Sequence, residues 1–349
     1  MVAKISMQEF CGIFNKELKV WLEANQEPTY RAKQIFEWVY VKGVVAWNLM
    51  TNLGKDLRKK LENGFRLPTL LLKKTQDSED EETTKFLWEL SDKRLVESVL
   101  IRSGDRRTVC VSSQVGCPAR CAFCASGREG LIRNLTPAEI VEQVVLINQY
   151  LIEQGERVTH IVFMGMGEPF ENYEAVLKSI KIFIQKEGLA LSTRRITVST
   201  VGVIEGIEKL MEEDFKVNLV LSLHAPNQNL RKKVIPYARK YKLDEILVAM
   251  HRYGIKTKRD VTYEYTLLAG INDGPEQARE LVLLLKGKQC SVNLIPYNPV
   301  DGLKLKRPEK EVVENFRSIL TEAGIQCTWR FTKGKDIAAA CGQLALLKE

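Results

Sequence analysis

No uninterrupted apolar run in this 349-residue chain is long enough to cross a bilayer, so a membrane-spanning helix is not expected. The opening residues, Met1 to Phe10, lack the apolar core of a signal peptide. The eight cysteines (11, 110, 117, 121, 124, 290, 327 and 341) do not form a disulfide framework in a chain this size; their clustering points to metal and a reducing cytoplasm. No short-period repeat or low-complexity tract appears, which sets repeat architectures aside. What remains is an ordinary globular composition, 45% apolar and 28% charged, sufficient for two or three domains or one large barrel with an extension. The formal charge of +8 permits attraction to nucleic acid without requiring it. Basic clusters at Arg231-Lys232-Lys233, Arg239-Lys240 and Lys304 to Arg307 read as solvated surface more readily than as phosphate contacts.

Residues 1–75 read as helical. Ser6 is expected to cap a first helix with Phe10, Ile13, Phe14 and Leu18 on one face, followed by helices through Arg31 to Tyr40 and Leu53 to Asn63. The acidic run Asp77 to Glu82 reads as a solvated connector. Thr84 to Leu90 and Leu95 to Ile101, flanking Ser91-Asp92-Lys93-Arg94, read as a β-hairpin. From about residue 107 the pattern alternates. Strands are expected at 107–113, 158–164, 195–200, 217–223, 260–268, 290–295 and 325–331, with helices near 137–154, 173–187, 203–213, 243–253, 275–287 and 309–323. Strict alternation implies βα units and a parallel sheet, here an α/β partial barrel of about six units. The expected organisation is thus 1–75 as an accessory domain, 76–106 as acidic linker and hairpin, and 107–349 as the barrel.

Cys117, Cys121 and Cys124 form a C-x3-C-x2-C cluster just after the first barrel strand, and active sites of such folds lie at strand carboxyl ends. Three thiolates are too few to close a structural zinc site, and a [4Fe–4S] cube normally takes four. With three, one iron stays open to a ligand that is not protein; a zinc loop with a distant fourth ligand is the alternative. The cluster resembles that of the radical S-adenosylmethionine (SAM) enzymes, in which SAM chelates the open iron. Met164-Gly165-Met166-Gly167-Glu168-Pro169, by itself a Gly-rich turn, resembles their segment for the SAM amino group, which assigns Gly167 and Glu168 to cofactor binding. Ser199, the run Ser222-Leu223-His224, and Asn298 fall at further strand ends, where each suits a turn or cap; together they suit one shared ligand.

Two further cysteines complete the pattern. Cys110-Val111-Ser112-Ser113-Gln114, Ala340-Cys341-Gly342-Gln343-Leu344 and Asn293-Leu294-Ile295-Pro296-Tyr297-Asn298-Pro299 join the motifs above in one order. Together they resemble the RlmN/Cfr family of RNA adenine methyltransferases, over nearly the whole chain. The resemblance implies a [4Fe–4S] cluster, SAM, 23S rRNA as substrate, with tRNA a further substrate open to the C2 branch, and a flavodoxin- or ferredoxin-like electron donor in the cytoplasm. It implies that Cys341 carries the methyl group, that Cys110 resolves a protein–RNA adduct by forming a disulfide with Cys341, and that Glu97 accepts a proton. It also implies two SAM per methylation and, from Glu168-Pro169 and Phe36-Glu37-Trp38, the C2 branch. Methylation at C8 and a non-catalytic iron–sulfur RNA-binding factor are the rivals. Ala338, Phe331 and Lys335 depart from the family pattern around Cys341.

Overall fold

The structure, a computed structural model, describes residues 7–329 and 333–345. Ser6 and Phe331 lie outside the described residues. In chain order the elements are β1 (Gln8–Glu9), α1 (Asn15–Ala24), α2 (Arg31–Phe36), α3 (Lys55–Gly64), β2 (Phe65–Arg66), β3 (Leu71–Asp77), β4 (Thr83–Glu89), β5 (Leu95–Ser103), β6 (Arg106–Cys110), β7 (Gln114–Gly116) and β8 (Leu131–Asn134). Then follow α4 (Pro137–Ile152), β9 (His160–Phe163), α5 (Tyr173–Ile184), β10 (Ile196–Thr200), α6 (Ile204–Glu212), β11 (Asn218–Ser222), α7 (Gln228–Val234) and α8 (Leu243–Thr257). The last are β12 (Val261–Leu267), α9 (Pro275–Leu285), β13 (Cys290–Pro296), α10 (Lys310–Glu322) and β14 (Gln326–Trp329).

Ten strands form one sheet in the order β14-β13-β12-β11-β10-β9-β6-β5-β4-β3. From β6 to β14 every pairing is parallel, with helices between successive strands, as βα alternation requires. The register sets Cys110 opposite Val162 and Ser222 opposite Glu264, so the strand carboxyl ends share one rim. Local sequence starts the elements sharply. Thr136 accepts from Glu139 N–H while the Glu139 carboxylate takes Thr136 N–H, with Pro137 in the first turn of α4.

The hairpin β4–β5 is antiparallel, as expected, and belongs to the same sheet: β5 pairs with β6 and β3 adds an outer strand. β3 escapes sequence reading because nearly all of it is exposed and lacks a buried face. The first helix starts later than expected. Phe10 to Gly12 make a 3-10 turn, and Phe10 packs its ring on Phe36, Trp47 and Phe65 instead of on a helical stripe. The helix through Arg31 to Tyr40 is α2 continued by a π turn, Glu37–Val41. α7 was not expected, being one short basic segment capped by Asn227.

The sheet is not closed into a barrel. After β14, residues 333–345 return across to β4 and β5. Lys333 pairs with Glu82 at 2.7 Å, Lys85 Nζ reaches the Ala338 carbonyl at 3.5 Å, and Ala345 N–H donates to Glu97 at 2.9 Å. The amino-terminal helices pack on α4 and share one apolar core with the sheet. There Glu142 of α4 accepts from Thr69 N–H, Thr69 Oγ1 and Leu70 N–H at 2.6–2.9 Å.

Candidate active site

The cysteine loop leaves the β7–β8 ribbon at Gly116, whose φ is +78° and whose missing Cβ would lie 2.0 Å from the Gly130 carbonyl. That carbonyl accepts Cys117 N–H at 3.0 Å, so glycine is required for the loop to start here. Cys117, Cys121 and Cys124 line a cavity of about 120 Å³ at the strand carboxyl ends. Gly167, Glu168, Ser199, Ser222, His224 and Asn298 line it too. The strand-end residues singled out in the sequence therefore come together, with one exception: Leu223 is fully buried and contributes its backbone instead.

Glu168 is fixed by its neighbours. Its carboxylate accepts from Val201 N–H at 2.8 Å and Phe170 N–H at 3.0 Å, while its own N–H donates to Gln114. Burial pushes its pKa up to about 7, so a cationic ligand in the cavity would favour ionisation. Ser199 and Ser222 hydroxyls lie 3.2 Å apart. His224 Nδ1 accepts from Thr266 N–H, and burial, with Arg231 nearby, lowers its pKa to about 3, so the ring is neutral.

A second cavity, about 420 Å³, is lined by Cys110, Thr108, Arg106 and Lys333. It shares Cys124, Gly165, Asn298, Cys341 and Gly342 with the first, so Cys341 stands in the common wall. Its turn is pinned on two sides: Asn298 Nδ2 donates to the Cys341 carbonyl at 3.2 Å, and Ala125 N–H donates to the Gly342 carbonyl at 2.8 Å. This contact of Asn298 is not visible in the sequence.

Glu97 lines neither cavity. Only 2% exposed, it accepts from Ala345 N–H and pairs with Lys85 at 3.1 Å, which places it as an anchor of the tail behind Cys341. No disulfide joins the described cysteines, so the Cys110–Cys341 pairing implied by resemblance is not formed; the two thiols are held by separate elements, the β6 end and the tail turn. Sequence reasoning also missed Arg231, read there as part of a surface cluster, which is fully buried.

The thiols suit an iron–sulfur cube. Burial raises the pKa of all three, and Cys117 and Cys121 are raised further by neighbouring cysteines, so thiolates here call for a positive centre. Among the described residues no three His, Cys, Asp or Glu side chains are grouped to hold one metal ion. Three thiols lining one cavity match a cube that takes one thiolate per iron. An unpartnered buried guanidinium nitrogen of Arg231 adds a cation beside them.

A parallel αβ partial barrel, three cysteines after its first strand, and a strand-end cavity beside them define a radical SAM enzyme, working with a [4Fe–4S] cluster and SAM. Residues 111–282 match the family model of the radical SAM superfamily, and residues 8–67 match that of the ribosomal RNA large subunit methyltransferase N-terminal domain. A probable dual-specificity RNA methyltransferase RlmN 2 of Protochlamydia amoebophila is 60% identical over 97% of this chain and 94% of its own length. The corresponding RlmN of Caldicellulosiruptor saccharolyticus is 48% identical over 94% of each. The crystal structure of a radical SAM methyltransferase from Sphaerobacter thermophilus superposes with a TM-score of 0.95 at 44% identity, covering 97% of this chain and 99% of that one. The chain belongs to the RlmN family of radical SAM RNA methyltransferases. No helix among the described residues is long and apolar enough to cross a membrane.

Proposed function

We propose that the protein methylates C2 of an adenosine in 23S rRNA through a methylated Cys341, with two SAM consumed per methyl delivered. The observation that carries this reading is the position of Cys341 in the wall between two cavities, one bearing the three cysteines and the other bearing Cys110. A thiol there can receive a methyl group from one side and present it to a nucleobase on the other. The dual specificity named for the relatives supports a second RNA substrate, which we assign to tRNA.

Cys117, Cys121 and Cys124 would hold the cluster. When bound, it supplies the electron that cleaves SAM to a hydrogen-abstracting species. Glu168 would take the SAM ammonium, with the Gly167 backbone, Ser199, Ser222 and Asn298 orienting the rest. Cys341 is the nucleophile that accepts the methyl group. Cys110 is the thiol positioned to release the base from Cys341. Arg106 and Lys333 supply positive charge at the larger cavity, where an unstacked adenine and its phosphate would enter. Glu97 holds the tail. The cytoplasm and a flavodoxin- or ferredoxin-type donor complete the reading.

The test is mass spectrometry of nucleosides from rRNA and tRNA incubated with reconstituted enzyme, SAM and reductant. We expect 2-methyladenosine in both. 8-Methyladenosine as the main product would overturn the C2 assignment, and no methylated adenosine would overturn the reading as a whole.

A further inference from the structure

Arg231 carries a full charge in a place with no solvent. Its side chain is 0% exposed, and its hydrogen bonds go to three uncharged carbonyls at strand ends. Nε donates to Leu223 at 3.1 Å, and Nη2 donates to Val201 at 2.6 Å and Ser222 at 3.0 Å. Nη1 is buried and finds no acceptor among the described residues. A buried cation satisfied only by dipoles is costly, and the cost falls when an anion sits beside it.

The surroundings say where that anion belongs. Val201 and Ser222 line the cysteine cavity, and Val201 N–H also donates to Glu168. α7 is tied to the cysteine loop: Ala122 N–H donates to the Val234 carbonyl at 2.9 Å, and Leu230 packs in the same apolar cluster as Cys121 and Cys124. Burial lowers the Arg231 pKa to about 10, opposed by Cys121 and Glu168, so the guanidinium stays charged at neutral pH.

We propose that Arg231 is a positioning residue that serves as counter-cation of the iron–sulfur cluster, offsetting the charge of its three thiolates and raising its reduction potential. This rests on the reading of Cys117, Cys121 and Cys124 as its ligands. Reduction adds one electron, taken from the external donor, to a site already negative. A permanent positive charge behind Cys121 favours the reduced state more than the oxidised one, and net charge and hydrogen bonding are among the levers on cluster potential.

The experiment compares wild type with Arg231→Lys, Arg231→Gln and Arg231→Met after reconstitution. Iron and sulfide content are measured first, then the midpoint potential by a redox titration followed by electron paramagnetic resonance. SAM is left out, so that a contact with its carboxylate cannot cause a shift. Thermal unfolding of the iron-free proteins reports on the backbone role. We expect the lysine variant to keep a potential near wild type although it loses the planar fork. The two neutral variants should shift together to more negative potential, or bind less iron while folded. Neutral variants with the wild-type potential, or a glutamine variant matching lysine, would overturn the proposal. Should the neutral variants not fold, Arg231→Lys decides: an unshifted potential supports the role of charge and a negative shift overturns it. A wild type that takes up no iron would refute the ligand reading itself, a different failure.

Discussion

Gly167 turns at φ +111°, and a Cβ there would come within 2.6 Å of Ser113 Oγ and 2.8 Å of Gln114 N. Gly167→Ala should therefore cost about 1–3 kcal/mol in backbone strain, with more from the clash, and displace Glu168. Thermal unfolding and SAM binding to the variant check both; unchanged SAM affinity would count against the assigned site. On the proposed reading the cysteines separate by function. Cys121→Ala should lose iron and SAM cleavage together, whereas Cys341→Ala should keep the iron and still fail to methylate RNA, as iron analysis and nucleoside mass spectrometry would read. Glu142 offers a pH test away from the cluster. Burial raises its pKa from 4.5 to about 7, so the folded state holds this proton more tightly than the unfolded chain does. Its contribution is greatest below the unfolded pKa and is lost as pH rises through about 7; at about 1.4 kcal/mol per unit the swing is roughly 3 kcal/mol. Urea unfolding of iron-free protein at pH 5 and pH 8 should show wild type losing stability relative to Glu142→Gln, and an unchanged difference would refute the assignment. At this scale the sequence was informative about which residues gather at the strand ends, since the three cluster cysteines, Glu168 and Cys341 all line one cavity. It was uninformative for the burial of Arg231, because a charged residue in a string of letters looks exposed until the fold buries it.

Elements show the same division. The parallel strands and their helices were legible because each carries a buried apolar period bounded by caps. β3 and α7 were not, the first being exposed along its length and the second too short to show a repeat. The tail at 333–345 has no period at all; contacts with the hairpin, with Asn298 and with the cysteine loop position it. Breaking the Lys85–Glu97 pair, whose side chains are 11% and 2% exposed, leaves a buried charge without its partner, at a cost of about 3–5 kcal/mol. Lys85→Met should therefore speed hydrogen exchange through residues 336–345 while sparing α4. Because the three cysteines themselves sit on the loop after β7 and not on the tail, iron content should persist while RNA methylation falls. Equal exchange in variant and wild type would show that the tail is held by something else.

For the molecule as a whole, the amino-terminal helices are structurally continuous with the barrel. Phe10, Cys11, Leu18, Phe36 and Val39 are buried in the core that also includes Ile140, Val144 and Ile147 of α4. Sequence reading treated residues 1–75 as an accessory domain, since the helical periods there do not reveal which surface they cover. Removal of 1–67 should thus lower the melting temperature and promote aggregation, besides abolishing RNA modification; differential scanning calorimetry and light scattering would show it. A truncated protein that melts like the full chain would overturn this packing argument. The order in which the chain is made gives the tail one more meaning. The cluster loop and the strand ends that surround it emerge from the ribosome long before Cys341, and the sheet needs no residue of the tail to pair its strands. On the proposed reading, a transcript with a stop codon just after β14 would encode a product with nearly every proposed cofactor contact and no methyl carrier, expected to spend SAM without marking RNA. On the same reading, completion of translation would thereby be coupled to productive chemistry.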